Sequence, residues 1–195
     1  MTNFLTANYE GNQDNNYGAL PTGEYEMVIN KAYEDATPSG AENFTIDLIV
    51  RNDLEQVPAL AETNGKYANR HVFNANWKRK ATQQYDLESF QYILEAVGIP
   101  EGTQIATIED FGNMLRGKPV RVYVKKEVDT YRTTDADNPV YQNEVAPWNY
   151  SKTEFPNVQH QFQGKDQPNN NPSPANTPDP FANNATPQTD NNIPF

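Results

Sequence analysis

Ten of the fifteen Lys and Arg residues fall in two short windows that contain no Asp or Glu. The first holds Lys66, Arg70, Lys78, Arg79 and Lys80; the second holds Arg116, Lys118, Arg121, Lys125 and Lys126. Rings are interleaved with these cations: Tyr67, His71, Phe73 and Trp77 in the first window, and Tyr123 in the second, on the same parity as Arg121 and Lys125. Cations pair with phosphates, and exposed rings stack on unpaired bases at about 1–3 kcal/mol per base. Single-stranded nucleic acid offers both partners along one flexible chain, whereas duplex binding has no need of the rings. The candidate contacts are therefore Lys66, Tyr67, Arg70, His71, Phe73, Trp77, Lys78, Arg79, Lys80, Arg121, Tyr123, Lys125 and Lys126. Two readings stay open for Phe73 and Trp77, which share a strand face with His71 and Ala75: that face carries the ligand, or it packs into the core. Lys78-Arg79-Lys80 is also what a solvated turn looks like.

Catalytic chemistry is poorly supplied. The chain has no Cys, which removes thiol nucleophiles, disulfides and zinc–thiolate sites. There is no phosphate-cradling Gly loop with Lys and Ser/Thr, and neither His71 nor His160 has a second His at metal-ligand spacing. Asp47, Asp53, Glu55 and Glu62 lie in or after one strand, and read as solvated loop and edge carboxylates rather than a metal set. The expectation is a binding protein, not an enzyme, with no cofactor and no metal. A formal net charge of -11 repels phosphates in general, so binding depends on where the cations are concentrated.

The elements that must position these residues are mostly strands. Tyr25, Met27 and Ile29 mark a strand over 23–32, and Pro38-Ser39-Gly40 a turn. Phe44, Ile46, Leu48 and Val50 alternate with polar residues in a second strand. A third covers 70–77 after a polar loop containing Thr63-Asn64-Gly65. Leu87, Phe90, Ile93, Leu94 and Val97 recur at helical spacing, with Gly98 and Pro100 as the stop. A short helix follows over 108–116, with Thr107 as N-cap and Asp110 three residues on. Val120, Val122 and Val124 define a fourth strand, and 140–145 a weaker fifth. Three strands, a helix and two strands is the element order of a five-stranded OB-type Greek-key barrel. The fold class expected is mainly β with one or two helices, as an OB-like domain over 1–155.

Composition changes near Phe155. Residues 156–195 hold only four charges (Lys165, Asp166, Asp179, Asp190), many Asn, Gln and Pro, and no apolar periodicity. Such a segment buries too little apolar surface to offset the entropy of ordering, so 156–195 reads as a disordered linker. It ends on Asp190-Asn191-Asn192-Ile193-Pro194-Phe195, a Pro-fixed apolar pair suited to capture in a partner's pocket, so Asp190, Ile193, Pro194 and Phe195 are candidate partner contacts. The N-terminus lacks a basic region followed by an apolar run, and no stretch approaches the ~20 apolar residues of a membrane span. The expectation is a soluble cytoplasmic protein with no membrane partner.

Asp179-Pro180-Phe181-Ala182-Asn183-Asn184 upstream of Ile193-Pro194-Phe195 resembles the C-terminal tail of bacterial single-stranded-DNA-binding proteins of Gram-positive type, with Asn191 and Asn192 where that family usually has acids. Such tails dock replication, repair and recombination proteins. The body resembles a different group, phage-encoded proteins long catalogued as a domain of unknown function and regarded as single-stranded-DNA-binding or recombination-associated. The likeness rests on 4–11, Leu20-Pro21-Thr22-Gly23-Glu24-Tyr25, Val50-Arg51-Asn52-Asp53, Gly98-Ile99-Pro100-Glu101-Gly102, Ile108-Glu109-Asp110-Phe111 and Gly117-Lys118-Pro119-Val120. It implies a phage protein in a bacterial cytoplasm that binds and protects single-stranded DNA during replication or recombination and recruits host or phage partners through its tip, alone or as a homo-oligomer. A recombination mediator or strand-annealing protein, and a protein-interaction module without DNA binding, are the alternatives.

Overall fold

The structure is a computed structural model that describes residues 18–163. Its strands are β1 (Gly23–Ala36), β2 (Glu42–Val50), β3 (His71–Trp77), β4 (Pro119–Val128), β5 (Tyr141–Glu144) and the two-residue β6 (Tyr150–Ser151). Helices α1 (Leu87–Ala96) and α2 (Ile108–Leu115) fall between β3 and β4. All pairings are antiparallel in the order β3-β2-β1-β4-β5, with β6 added to β4. The sheet curls into a half-barrel whose end strands, β3 and β5, face each other, the neighbour order of an OB-type barrel.

The curl originates in β1. This strand is long enough to pair with β4 through Gly23–Val28 and with β2 through Met27–Ala36, and a bulge at Asn30 shifts the register between the two halves. A bulge bends its strand and sharpens the local twist, which swings the far half of β1 around the core. Tyr25, Met27 and Ile29, the β2 set Phe44, Ile46, Leu48 and Val50, and Val120, Val122 and Val124 point into that core. Phe90 of α1 and Phe111 of α2 close it against Phe44, with ring centroids 4.7–5.5 Å apart. The short helix starts as its sequence predicts: Thr107 and Asp110 cap each other reciprocally.

Gly112 is required by a close approach. A Cβ there would lie 2.3 Å from the Ala32 carbonyl oxygen on β1. Backbone cannot yield as a flexible side chain can, so Gly112→Ala should push α2 off the sheet and destabilise the domain by roughly 1–3 kcal/mol, the usual cost of overpacking. Urea denaturation checks this, and an unchanged midpoint would mean that α2 sits further from β1.

Two segments differ from the sequence expectation. The polar loop before β3 contains a 3₁₀ turn, Pro58–Leu60, and a π-type turn, Ala61–Gly65, that drive Asn64 into complete burial. There its amide accepts from Glu26 N (3.0 Å) and donates to the carbonyls of Glu26 (2.7 Å) and Arg51 (3.1 Å), tying β1 to the end of β2. Residues 156–163, read as part of the disordered linker, are instead strapped across the domain. Asn52 N donates to His160 Nδ1 (3.1 Å), the Asn52 amide exchanges hydrogen bonds with Gln161 backbone, and Gln159 N donates to Asp53 (2.8 Å). The rest of that linker lies outside the described residues, as does its tip. Among the described residues no helix is long and apolar enough to cross a membrane.

Candidate nucleic-acid interface

The alternation of β3 leaves its facing open, and the structure turns its ring-bearing face away from the core. Val72 and Asn74 turn inward, while His71, Phe73, Ala75 and Trp77 turn out, with Phe73 61% and Trp77 51% exposed. Register extends this face across the sheet: Phe73 lies opposite Asp47 and then Lys31, Ala75 opposite Thr45 and then Tyr33. Phe73 and Trp77 stand four residues apart on one strand, about 13 Å at the usual rise, with only the methyl group of Ala75 between them. Buried Asp47 braces the platform, accepting from Asn30 Nδ2 (2.8 Å) and meeting His71 Nδ1 at 2.7 Å, and the His71 ring stacks on Phe73 at 5.9 Å. Asp47 is thus a structural anchor rather than the solvated carboxylate its position in the sequence suggests, and the same holds for Asp53, which is paired with Arg51.

Beside the platform, the open seam between β3 and β5 forms a cleft of about 1120 Å³. One wall carries Lys66, Tyr67, Arg70, His71 and Phe73; the other carries Lys126, Arg132 and Tyr141. None of the described residues that line it is acidic. Lys126 Nζ sits 4.3 Å over the Tyr141 ring and Lys66 Nζ 5.7 Å from that of Tyr67, which keeps both ammonium groups at the cleft without neutralising them. The β4–β5 connection overhangs this wall. Asp129 accepts from the backbone N–H groups of Tyr131 and Arg132 (3.0 Å each) and from Arg132 Nε (2.5 Å), an Asx turn that leaves Tyr131 94% exposed. The Arg132 hydrogen bonds hold the Asp129 carboxyl below the usual carboxylate range.

Four other cations of the two windows are already paired. Lys78 meets Glu42 (2.8 Å) and Glu34 (3.3 Å), Arg79 meets Asp86 (2.8 Å), and Lys125 meets Glu127 (3.2 Å) and Glu144 (3.7 Å). Arg121 is bound most completely, with Glu26 at 3.1 Å and Glu154 at 2.6 Å, in a cluster where Thr153 also donates to Glu26. Tyr123, half-exposed, lies opposite Glu24 on the same side of β4 as Arg121. Lys80 is exposed on the turn after β3, away from the cleft. Of the thirteen residues expected from sequence, the cleft gathers Lys66, Tyr67, Arg70, His71, Phe73 and Lys126, and Trp77 continues the same β3 face. Sequence reasoning missed Arg132, Tyr131, Tyr141, Lys31 and Tyr33. Arg132 and Tyr131 sit among Asp129, Asp135 and Asp137, so no acid-free window marks them, whereas alternation in β1 beyond the bulge would have placed Lys31 with Tyr33.

No curated protein matches the chain. A family model described as a protein of unknown function (DUF669) matches residues 6–169, which includes every element from β1 to β6 and both walls of the cleft, and the chain belongs to that family.

Proposed function

We propose that this protein binds single-stranded DNA along the seam cleft and the outward face of β3, without catalysing a reaction on it. The observation that supports this best is local: four cations and several rings line one cleft, with no acid among its described lining residues, on a chain of net charge -11. A cleft of one sign focuses the field, so an acidic protein can still hold a polyanion there. Cations for phosphates and rings for bases are what a single strand needs, and the OB barrel's usual ligand surface lies on strands 2 and 3 and the loop between strands 4 and 5. The resemblance to phage proteins adds the setting, protection of single strands during replication or recombination in a bacterial cytoplasm. The tail adds recruitment of other genome-maintenance proteins through Asp190, Ile193, Pro194 and Phe195.

The test is a titration with oligo-dT at two salt concentrations. Lys66→Ala and Lys126→Ala should each weaken binding and reduce the salt slope by roughly 0.7, the value per single-strand phosphate contact. Lys125→Ala and Arg79→Ala, which free an acid as well as removing a cation, serve as controls with smaller slope changes. Equal slopes across both groups would place the DNA elsewhere. Strand-annealing activity measured on the same preparation separates a binder from an annealing protein.

A further inference from the structure

We infer that the groove between α1 and α2 is a docking site for a basic amphipathic helix of another protein. The docking does not rest on the DNA-binding reading. The groove, about 1060 Å³ in volume, is walled by α1, the start of α2 and the connection between them. Leu87, Leu94, Ile99, Ile105 and Ile108 line it, and none of the five is fully buried; Leu87 is 68% exposed. Apolar side chains gathered on one exposed concave surface mark a place where another apolar surface packs. Two of the walls are helices, whose backbone groups are mostly bonded within the helix, so an extended peptide would find no strand edge to pair with. A helix brings its own backbone bonds and needs only apolar side chains at i, i+3, i+4 and i+7.

Charge decides which helix. Residues 81–115 hold six acids, Asp86, Glu88, Glu95, Glu101, Glu109 and Asp110, and no Lys or Arg. Asp86 is paired with Arg79, and Asp110 is used in the cap with Thr107. The other four are exposed, and their carboxylates meet no Lys or Arg among the described residues. The glutamates of the strands behave differently: Glu24, Glu26, Glu34, Glu42, Glu127 and Glu144 each lie within 3.9 Å of a Lys or Arg. Glu95 and Glu101 line the groove itself, and Lys152 is the one cation among its described lining residues. Unpaired carboxylates around an apolar floor attract Lys and Arg that flank an apolar stripe and reject acidic partners. The same carboxylates repel phosphate, which keeps nucleic acid out of the groove. Among the described residues none lines both this groove and the seam cleft, so a partner here leaves the cleft's lining residues untouched.

The test is fluorescence anisotropy with the full chain and a labelled synthetic peptide of about 18 residues, leucine at helical spacing and lysine elsewhere, long enough to be helical. Binding is expected, weakening as salt rises, with slower hydrogen exchange at residues 87–115. Two comparison peptides carry glutamate for lysine and alanine for leucine, and neither should bind at the same concentration. Glu95→Lys/Glu101→Lys should weaken the leucine–lysine peptide about tenfold, whereas Glu55→Lys/Glu62→Lys, an equal charge change outside the groove, should stay within about twofold. Leu87→Gln, at a position too exposed to hold the fold, should weaken it as well. Equal losses in the two charge variants, or an alanine peptide that binds as tightly as the leucine one, would leave only general attraction between opposite charges and overturn the proposal. So would a wild type that does not bind the peptide, or protection that maps outside 87–115. Exchange at those residues that slows with protein concentration in the absence of peptide would assign the groove to a second copy instead.

Discussion

Phe73→Ala and Trp77→Ala are each expected to weaken oligo-dT binding by about 1–3 kcal/mol, the value of one base stacked on a ring, while leaving thermal stability nearly unchanged. The combination is diagnostic. Had these rings served the core, their removal would cost about 3–5 kcal/mol of folding free energy. Both are more than half exposed on the outward face of β3, so little buried contact is lost with either. Their spacing suggests two separate stacking positions, with Ala75 leaving room between for the backbone of the strand. Melting curves give the stability and fluorescence titration the affinity. Tyr123→Ala provides the contrast: it is comparably exposed but does not line the cleft, and should change affinity little. Full affinity in both β3 variants would remove the platform from the binding surface.

The orientation of β3 was beyond sequence reasoning for a physical reason. Hydropathy alone puts Phe73 and Trp77 inside and Asn74 and Asn76 outside, and the structure does the reverse. Asn74 can be buried because Val145 O and Tyr150 OH satisfy it, and both partners lie some seventy residues away in sequence. The alternating strands β2 and β4 and the helix α1 were legible, since one face of each is uniformly apolar. The cation windows were half legible. Proximity in sequence groups Lys78 and Arg79 with Lys66 and Arg70, but neutralising acids arrive from other elements: Glu34 and Glu42 across the sheet, Asp86 before α1. Parity likewise separates Lys126 from its neighbour Lys125. What composition identifies is a supply of cations, and only the pairing decides which remain for a phosphate.

The strap shows the same limit from the side of stability, and Arg51→Met is expected to be the most damaging single change outside the apolar core. Residues 156–163 carry few apolar side chains, so they cannot be held by burial. Arg51 holds their start, and its neighbours Asn52 and Asp53 hold the rest. The Arg51 side chain is completely buried and donates to Asp53 through Nε (3.0 Å) and Nη2 (2.6 Å), to the Phe155 carbonyl (2.5 Å) and to the Asn157 carbonyl (2.7 Å). Burial alone would raise the Asp53 carboxyl; hydrogen bonds from Arg51 and the Gln159 amide outweigh it and hold the group below the ordinary carboxylate range. Removing one partner of such a buried pair typically costs about 3–5 kcal/mol, because the other charge stays buried and uncompensated. Urea denaturation of Arg51→Met at neutral pH should show a loss of that size. Adding Asp53→Asn should restore part of it, since the stranded charge goes with it. The pH dependence has a definite sign. A carboxyl depressed in the folded state contributes stability that is present above its unfolded pKa of about 3.9 and is lost as pH falls through the folded value, so the wild type should lose this contribution in acid. In Arg51→Met that acid-dependent loss should shrink, and chymotryptic cleavage after Phe162 should appear under conditions where the wild type resists. A loss below about 1 kcal/mol with Phe162 still protected would mean that the strap is held by contacts other than this guanidinium.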